Sequence, residues 1–277
     1  MPSRGREVRL VTWNVNSLGA RLPLVLEWIE ANRPDVVCMQ ETKQADDAFP
    51  EGAFADVGYE SVHHGDGRWN GVAILSRVGL DSPVRGIGFE EEAGAFGCRF
   101  VAALCGGVWV HSVYVPNGRS LDHEQYRNKL AWLARLRAYL DEHCTADDEV
   151  AVCGDFNVAP DDLDVWDPAA FVGATHVSPP EREALEHILD WGLVDVFRRF
   201  HPDGGVFSWW DYRAGDFHKG HGMRIDLVLL SSQLAARCTD ARVDREARKK
   251  SPAGNKPSDH APVVVDIGDG PGGTAAD

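Results

Sequence analysis

The chain has 277 residues, 44% hydrophobic and 26% charged, with 28 Lys and Arg against 43 Asp and Glu for a formal net charge of -15. That length buries a substantial core as one large α/β domain or two smaller ones. The acidic balance argues against simple electrostatic capture of a polyanion, which normally rests on Lys and Arg, and no apolar run is long enough to span a bilayer.

Compartment and boundaries come from the same level of reading. No basic segment followed by an apolar stretch opens the chain, so we expect a soluble, intracellular protein. Cys38, Cys98, Cys105, Cys144, Cys153 and Cys238 are scattered without a CxxC pair, and reduced thiols are expected rather than disulfides or a zinc site. Residues 1–7 are short and polar and 268–277 are rich in glycine, so both ends are expected to be disordered, leaving 8–267 as a single domain.

In chain order, Val8 to Val15 (VRLVTWNV) predicts a strand ending at Asn14. Leu22, Val25, Leu26 and Ile29 follow at helical spacing with Pro23 near the start, and Asp35 to Glu41 (DVVCMQE) predicts a second strand. This is a parallel β-helix-β unit whose strands deliver Asn14 and Glu41 at their C-terminal ends. From Gly58 to Val115 the runs shorten, and Gly106-Gly107 signals a hairpin, so this section is expected to be antiparallel. It closes on Tyr114-Val115-Pro116-Asn117-Gly118.

Leu121 to His143 predicts a long amphipathic helix with Tyr126, Leu130, Leu133, Leu136 and Leu140 along its packing stripe. The apolar run Val150 to Cys153 predicts a buried strand, and alternation puts Asp155 and Asn157, just beyond it, on one side. Ser178-Pro179-Pro180-Glu181 has capping-box spacing and opens a helix that Gly192 stops. Val206 to Asp211 (VFSWWD) predicts a strand, as does Ile225 to Leu230. Asp226 inside the latter apolar run must be paired or functional, because unpaired burial is costly. Ser258-Asp259-His260 abuts a last strand. The basic segment Arg242 to Lys256 reads equally as a solvated loop and as a phosphate contact.

Each polar strand end alone is an ordinary turn signal; together they form a constellation. Several carboxylates and amides with one histidine match a hard, oxygen-liganded ion such as Mg²⁺ or Mn²⁺ better than zinc. A metal-assisted phosphoester hydrolase follows, since such chemistry needs charge neutralisation, a base for water and donors to the transition state.

The runs WNVNS (from Trp13), QETK (from Gln40), GVAILS (from Gly71), YVPNG (from Tyr114), GDFN (from Gly154), FSWWDYR (from Phe207), RID (from Arg224) and KPSDHAP (from Lys256) carry a resemblance. In this order and spacing they resemble the exonuclease III family of AP endonucleases, over nearly all of residues 8–267. The resemblance implies a four-layer α/β sandwich, two packed mixed β-sheets flanked by helices. It implies Mg²⁺-dependent cleavage of duplex DNA 5′ to abasic sites and stepwise from 3′ ends, by a cytoplasmic, monomeric enzyme, nucleoid-associated if bacterial.

By motif, Glu41 resembles the principal metal ligand, with Asn14 and Asp259 nearby. Tyr114 and Asn157 resemble phosphate-contacting groups. Asp155 and His260, the latter oriented by Asp226, are the two candidates for the base. Trp209 resembles the wall of the pocket for a flipped abasic sugar, with Asn117 and Arg213 as further DNA contacts. Two other classes stay open: a relative acting on lipid headgroups or inositol phosphates, and a non-catalytic DNA-binding scaffold. The long Arg245 to Asn255 connection, Asn70 before GVAILS and the overall acidity depart from the family pattern.

Overall fold

The computed structural model describes residues 8–67, 69–88, 97–145, 147–249 and 254–269. The tails read as disordered fall outside these except for Gly268 and Asp269, and residues 250–253 of the basic segment also lie outside.

Apolar runs set the strands. β1 (Val8–Asn14), α1 (Leu18–Asn32) and β2 (Val36–Gln40) form the predicted parallel unit, with Leu10 opposite Val36 and Asn14 opposite Gln40. α1 begins earlier than the Pro23 signal suggested, because Glu41 and Thr42 carbonyls accept from Ser17 and Leu18 N–H and so satisfy its start from outside the helix. After α2 (Glu51–Asp56) come β3 (Glu60–His64), β4 (Val72–Ser76), β5 (Asp81–Arg85), β6 (Phe100–Cys105) and β7 (Val108–Tyr114); β3 pairs with β4, and β6 with both β5 and β7, all antiparallel as expected.

α3 (Glu124–His143) starts three residues inside the predicted span, where the His123 ring accepts from Gln125 N–H. β8 (Val150–Asp155), α4 (Pro179–Leu189), β9 (Leu193–Asp195) and α5 (Val196–Phe200) follow. α4 opens with the expected capping box of Ser178 and Glu181. Of the predicted Val206–Asp211 strand only β10 (Trp209–Trp210) forms, paired with β11 (Gly222–Met223) across α6 (Asp216–Lys219). The rest of that run turns aside to place its side chains around the next strands. β12 (Asp226–Ser231), α7 (Ser232–Arg237), β13 (Cys238–Val243) and β14 (Val263–Ile267) complete the chain.

Two six-stranded mixed sheets result, ordered β13-β14-β1-β2-β4-β3 and β5-β6-β7-β8-β12-β9. Strand alternation fills three apolar layers. Leu10, Cys38, Ile74, Ala151, Cys153, Val228 and Leu230 face the space between the sheets. Val11, Val37, Met39 and Leu75 face α1, while Val150, Val152, Leu227 and Leu229 face α3 and α4. This is the expected four-layer α/β sandwich. Trp132, Leu133 and Leu136 of α3 are fully buried, so Leu136→Ala would cost about 2–5 kcal/mol through the cavity it leaves. Gly154 is required by the sheet itself, since a Cβ there would sit 1.9 Å from the Val113 carbonyl oxygen of β7. Among the described residues no helix is long and apolar enough to cross a membrane.

Candidate active site

Because β1 and β2 run parallel in one sheet and β7 and β8 in the other, their C-terminal tips present Asn14, Glu41, Tyr114 and Asp155 at one edge of the sandwich. β12 and β14 run antiparallel to β8 and β1 and therefore deliver residues from their N-terminal ends. Asp226 stands opposite Asp155 in the ladder, and Ser258, Asp259 and His260 precede β14. The turns that aim these groups hold non-glycine residues at positive φ, Glu41 at 52° and Asn157 at 51°, a strained conformation typical of sites.

The groups meet through hydrogen bonds. Asn14 Nδ2 donates to Glu41 Oε1 and to Asp155 Oδ2, both at 2.9 Å, while its Oδ1 accepts from Asn16 N–H. Tyr114 donates its hydroxyl to Glu41 Oε1 at 2.9 Å, and Lys43 Nζ lies 2.9 Å from Glu41 Oε2. His260 Nδ1 is 2.8 Å from Asp226 Oδ2, and its Nε2 faces Asp155 Oδ2 at 3.8 Å. Ser208 donates its hydroxyl to the same Asp226 Oδ2 at 2.6 Å and so helps to hold that carboxylate in place. Ligand atoms of Glu41, Asp155 and His260 lie within 4.8 Å of one another.

This crowding sets the proton affinities. Burial, with the charges of Asp226 and Glu41, raises Asp155 to about 7 despite opposing help from His260 and Asn14. Burial alone would depress His260, but Asp226, Asp155 and Asp259 hold its proton and carry it to about 10. Burial and the Glu41 charge push the Tyr114 phenol well above its usual range, so it remains a donor. Asp259 is drawn below the usual carboxylate range, its burial outweighed by His260, Asn16 and Trp209.

A divalent cation suits this donor set. Glu41 and Asp155 are paired oxygen donors with too little positive charge beside them, while a protonated His260 tied to Asp226 is better placed to donate a hydrogen bond than to ligate. Asn14 turns its amide nitrogen toward both carboxylates and so orients them. Asp259 sits one step aside, accepting from Asn16 Nδ2 at 2.8 Å and from Trp209 Nε1 at 3.2 Å. Trp209, like Phe171 and Val177, packs against the buried cluster of Ala159, Val165, Met223 and Ile225.

Asn157 and Asn117 pair at 3.1 Å next to Asp155, whose Oδ1 accepts from Asn157 N–H. Arg213 is not drawn into the cluster. Its side chain is 87% exposed and forms a local pair with Asp211 at 2.6 Å. The basic segment is largely engaged within the protein: Arg242 pairs with Asp266 and Lys249 with Glu246, both at 2.7 Å, and Lys256 lies 3.9 Å over the Tyr212 ring.

Four contributors escaped the sequence reading. Asn16, Lys43 and Ser208 lie inside the quoted runs and were visible there. His176, whose Nδ1 is 2.5 Å from the Asn157 carbonyl, comes from a loop with no motif.

Comparison with known proteins agrees with this fold. Residues 11–260 match the Endonuclease/Exonuclease/phosphatase family. The chain is 34% identical over 275 residues to an exodeoxyribonuclease III of Haemophilus influenzae, covering 94% of this chain and 100% of that one. It is similar to an AP endonuclease structure from Archaeoglobus fulgidus, with a TM-score of 0.88 at 37% identity over 94% of this chain and 99% of the other. A 3′ phosphatase from Neisseria, bound to a product DNA hairpin, gives a TM-score of 0.88 at 37% identity over 94% and 99%. The family match over residues 11–260, together with the identity along nearly the full length of the Haemophilus influenzae exodeoxyribonuclease III, places the chain in the Endonuclease/Exonuclease/phosphatase family.

Proposed function

We propose that this protein is a divalent-cation-dependent DNA phosphodiesterase of base-excision repair, cleaving 5′ to abasic sites and removing nucleotides or blocking groups from 3′ ends. Its class, a DNA-repair nuclease, follows from the family and from relatives named for exodeoxyribonuclease and AP endonuclease activity. The carrying observation is the convergence of Glu41, Asp155 and His260 within 4.8 Å.

Glu41 is the principal holder of Mg²⁺, or of Mn²⁺ in its place, with Asp155, Asn14 and Asp259 around it. When bound, the cation neutralises phosphate oxygens and stabilises the charge that develops in hydrolysis. Tyr114, Asn157 and Asn117 present donors to the phosphate. Asp155, buried beside Asn157 and facing the His260 ring, is placed to take a proton from the attacking water. His260, kept protonated by Asp226, donates to the phosphate and does not act as the base. Trp209 walls the recess for the abasic sugar, which has no base to unstack and is cheaper to extrude. Arg213, projecting into solvent, reaches for the DNA backbone.

Residues 8–267 act as one catalytic domain, and the enzyme works as a cytoplasmic monomer on duplex DNA. The test is a duplex labelled at its 3′ or 5′ end, with or without a central abasic site, incubated with Mg²⁺ or EDTA. Incision at the abasic site and shortening from the 3′ end, both only with Mg²⁺, are expected. Cleavage of small phosphoesters with none of DNA would favour the headgroup-type relatives instead.

A further inference from the structure

Two charges with no part in the chemistry above are sealed directly behind it. Lys129 on α3 and Glu181 on α4 have no solvent exposure and form an ion pair. Lys129 also takes the place on the helix stripe that the sequence reading gave to Leu130, which is only partly buried. A charged pair is an expensive occupant of such a position, because desolvation offsets its attraction and an apolar pair of the same volume often does as well.

Where the pair's remaining hydrogen bonds go is informative. Lys129 Nζ donates to the Asn157 carbonyl at 2.6 Å and reaches the Asn117 carbonyl at 3.4 Å. Glu181 Oε1 accepts from Thr175 Oγ1 at 2.7 Å and from His176 N–H at 2.9 Å, and Oε2 accepts from Ser178 Oγ at 2.6 Å. Thr175 Oγ1 is also 3.3 Å from the Asn117 carbonyl, and His176 Nδ1 meets the Asn157 carbonyl. The pair therefore holds the backbones of Asn117 and of Asn157, the latter in its left-handed conformation, against one buried point.

We propose that Lys129 and Glu181 are positioning residues that fix the Asn117–Asn157 amide pair for the phosphate, an assignment that rests on the phosphodiesterase reading. An amide misplaced by about 1 Å forfeits much of its benefit, so the effect belongs in turnover and not in binding.

The experiment is single-turnover cleavage by full-length K129M/E181Q, alone and combined with Asn157→Ala, with DNA affinity and Tm measured alongside. Expected is a kcat about tenfold or more lower at nearly unchanged Kd and Tm, with little further loss in the Asn157→Ala background. Equal kcat in the wild type and the paired variant overturns the proposal, as does full additivity with Asn157→Ala. An inactive wild type overturns the phosphodiesterase reading and this one with it. If the paired variant does not fold, Thr175→Val carries the test by removing the hydroxyl that donates to Glu181 Oε1 at 2.7 Å and lies beside the Asn117 carbonyl. A several-fold lower kcat at unchanged Tm supports the proposal and an unchanged kcat overturns it.

Discussion

Two buried charged regions of this molecule are built from the same residue types and differ in their balance. Beside β12, Arg224 makes paired bonds to Asp164 at 2.6 and 3.1 Å and to Asp195 at 3.1 and 2.7 Å, and Arg198 also contacts Asp164. Two residues along, the tips of the sheets gather Glu41, Asp155, Asp226 and Asp259, whose bonded cations are Lys43 and His260. The first region answers each carboxylate with a guanidinium and joins α5, β9 and the Asp161–Asp164 turn to the strand. The second leaves negative charge in excess, at a standing cost that a divalent cation would relieve. The lesson is that imbalance, more than burial, separates a site from a staple.

The comparison breaks most visibly at Glu41. Glu41→Ala should abolish Mg²⁺-dependent cleavage, by at least about 10³-fold, the scale of losing a preorganised charge-stabilising group, while Tm stays level or rises because a repelling charge has gone. Activity retained at the wild-type level would remove the metal assignment. His260→Ala should lower single-turnover cleavage by about 10²-fold or more with a smaller loss of DNA binding. Comparable losses in both would make it a binding residue only.

In the balanced region the pattern inverts. Arg224→Met strands two carboxylates and should destabilise the fold by about 3–5 kcal/mol in denaturant melts, while the folded fraction keeps its turnover. A large loss of turnover at unchanged stability would erase the distinction.

The smallest effect is linked to pH. Asp155 titrates at about 7 against 3.8 when unperturbed, so the stability its proton contributes is full below 3.8 and is lost as pH rises through 7. His111 and His176, lowered by burial to about 4 from 6.5, act oppositely, and their contribution is lost as pH falls through 4. Above about 6.5 the Asp155 term stands clear of theirs, and His260, raised to about 10 from 6.5, keeps its proton in the folded protein from pH 6.5 to 8. The rise in Tm caused by Mg²⁺ should therefore grow by a few degrees from about pH 6.5 to 8, as the cation replaces that proton. A pH-independent rise would exclude Asp155 from the cation's surroundings.

How much of this could be read beforehand follows from where each residue sits. Asn14, Glu41, Tyr114, Asp155 and His260 were legible because each interrupts an apolar run at a predicted strand end. Period-2 alternation put Asp155 and Asn157 on one side of their strand end, and Asp226 was conspicuous inside Ile225–Leu230. Lys129, Glu181, Asp164 and Arg224 were not legible as a group, because charged residues on helices and loops look solvated until the chain's distant parts are packed together. The same limit explains VFSWWD, whose β-rich composition predicted a longer strand than Trp209–Trp210. Its Ser208 is spent on Asp226 and its Trp209 on Asp259. Arg213 followed its motif into the expected set, yet it forms an ion pair with Asp211, two residues away.

The central claim is that tips from both sheets converge to hold a divalent cation, and it can be measured without DNA or turnover. Calorimetric titration of Mg²⁺ into the wild type and into Glu41→Ala at about pH 8 should show saturable binding that the substitution removes, since an oxygen-donor site lacking its principal carboxylate loses its cation. Equal binding by both proteins would place the cation elsewhere and contradict the account.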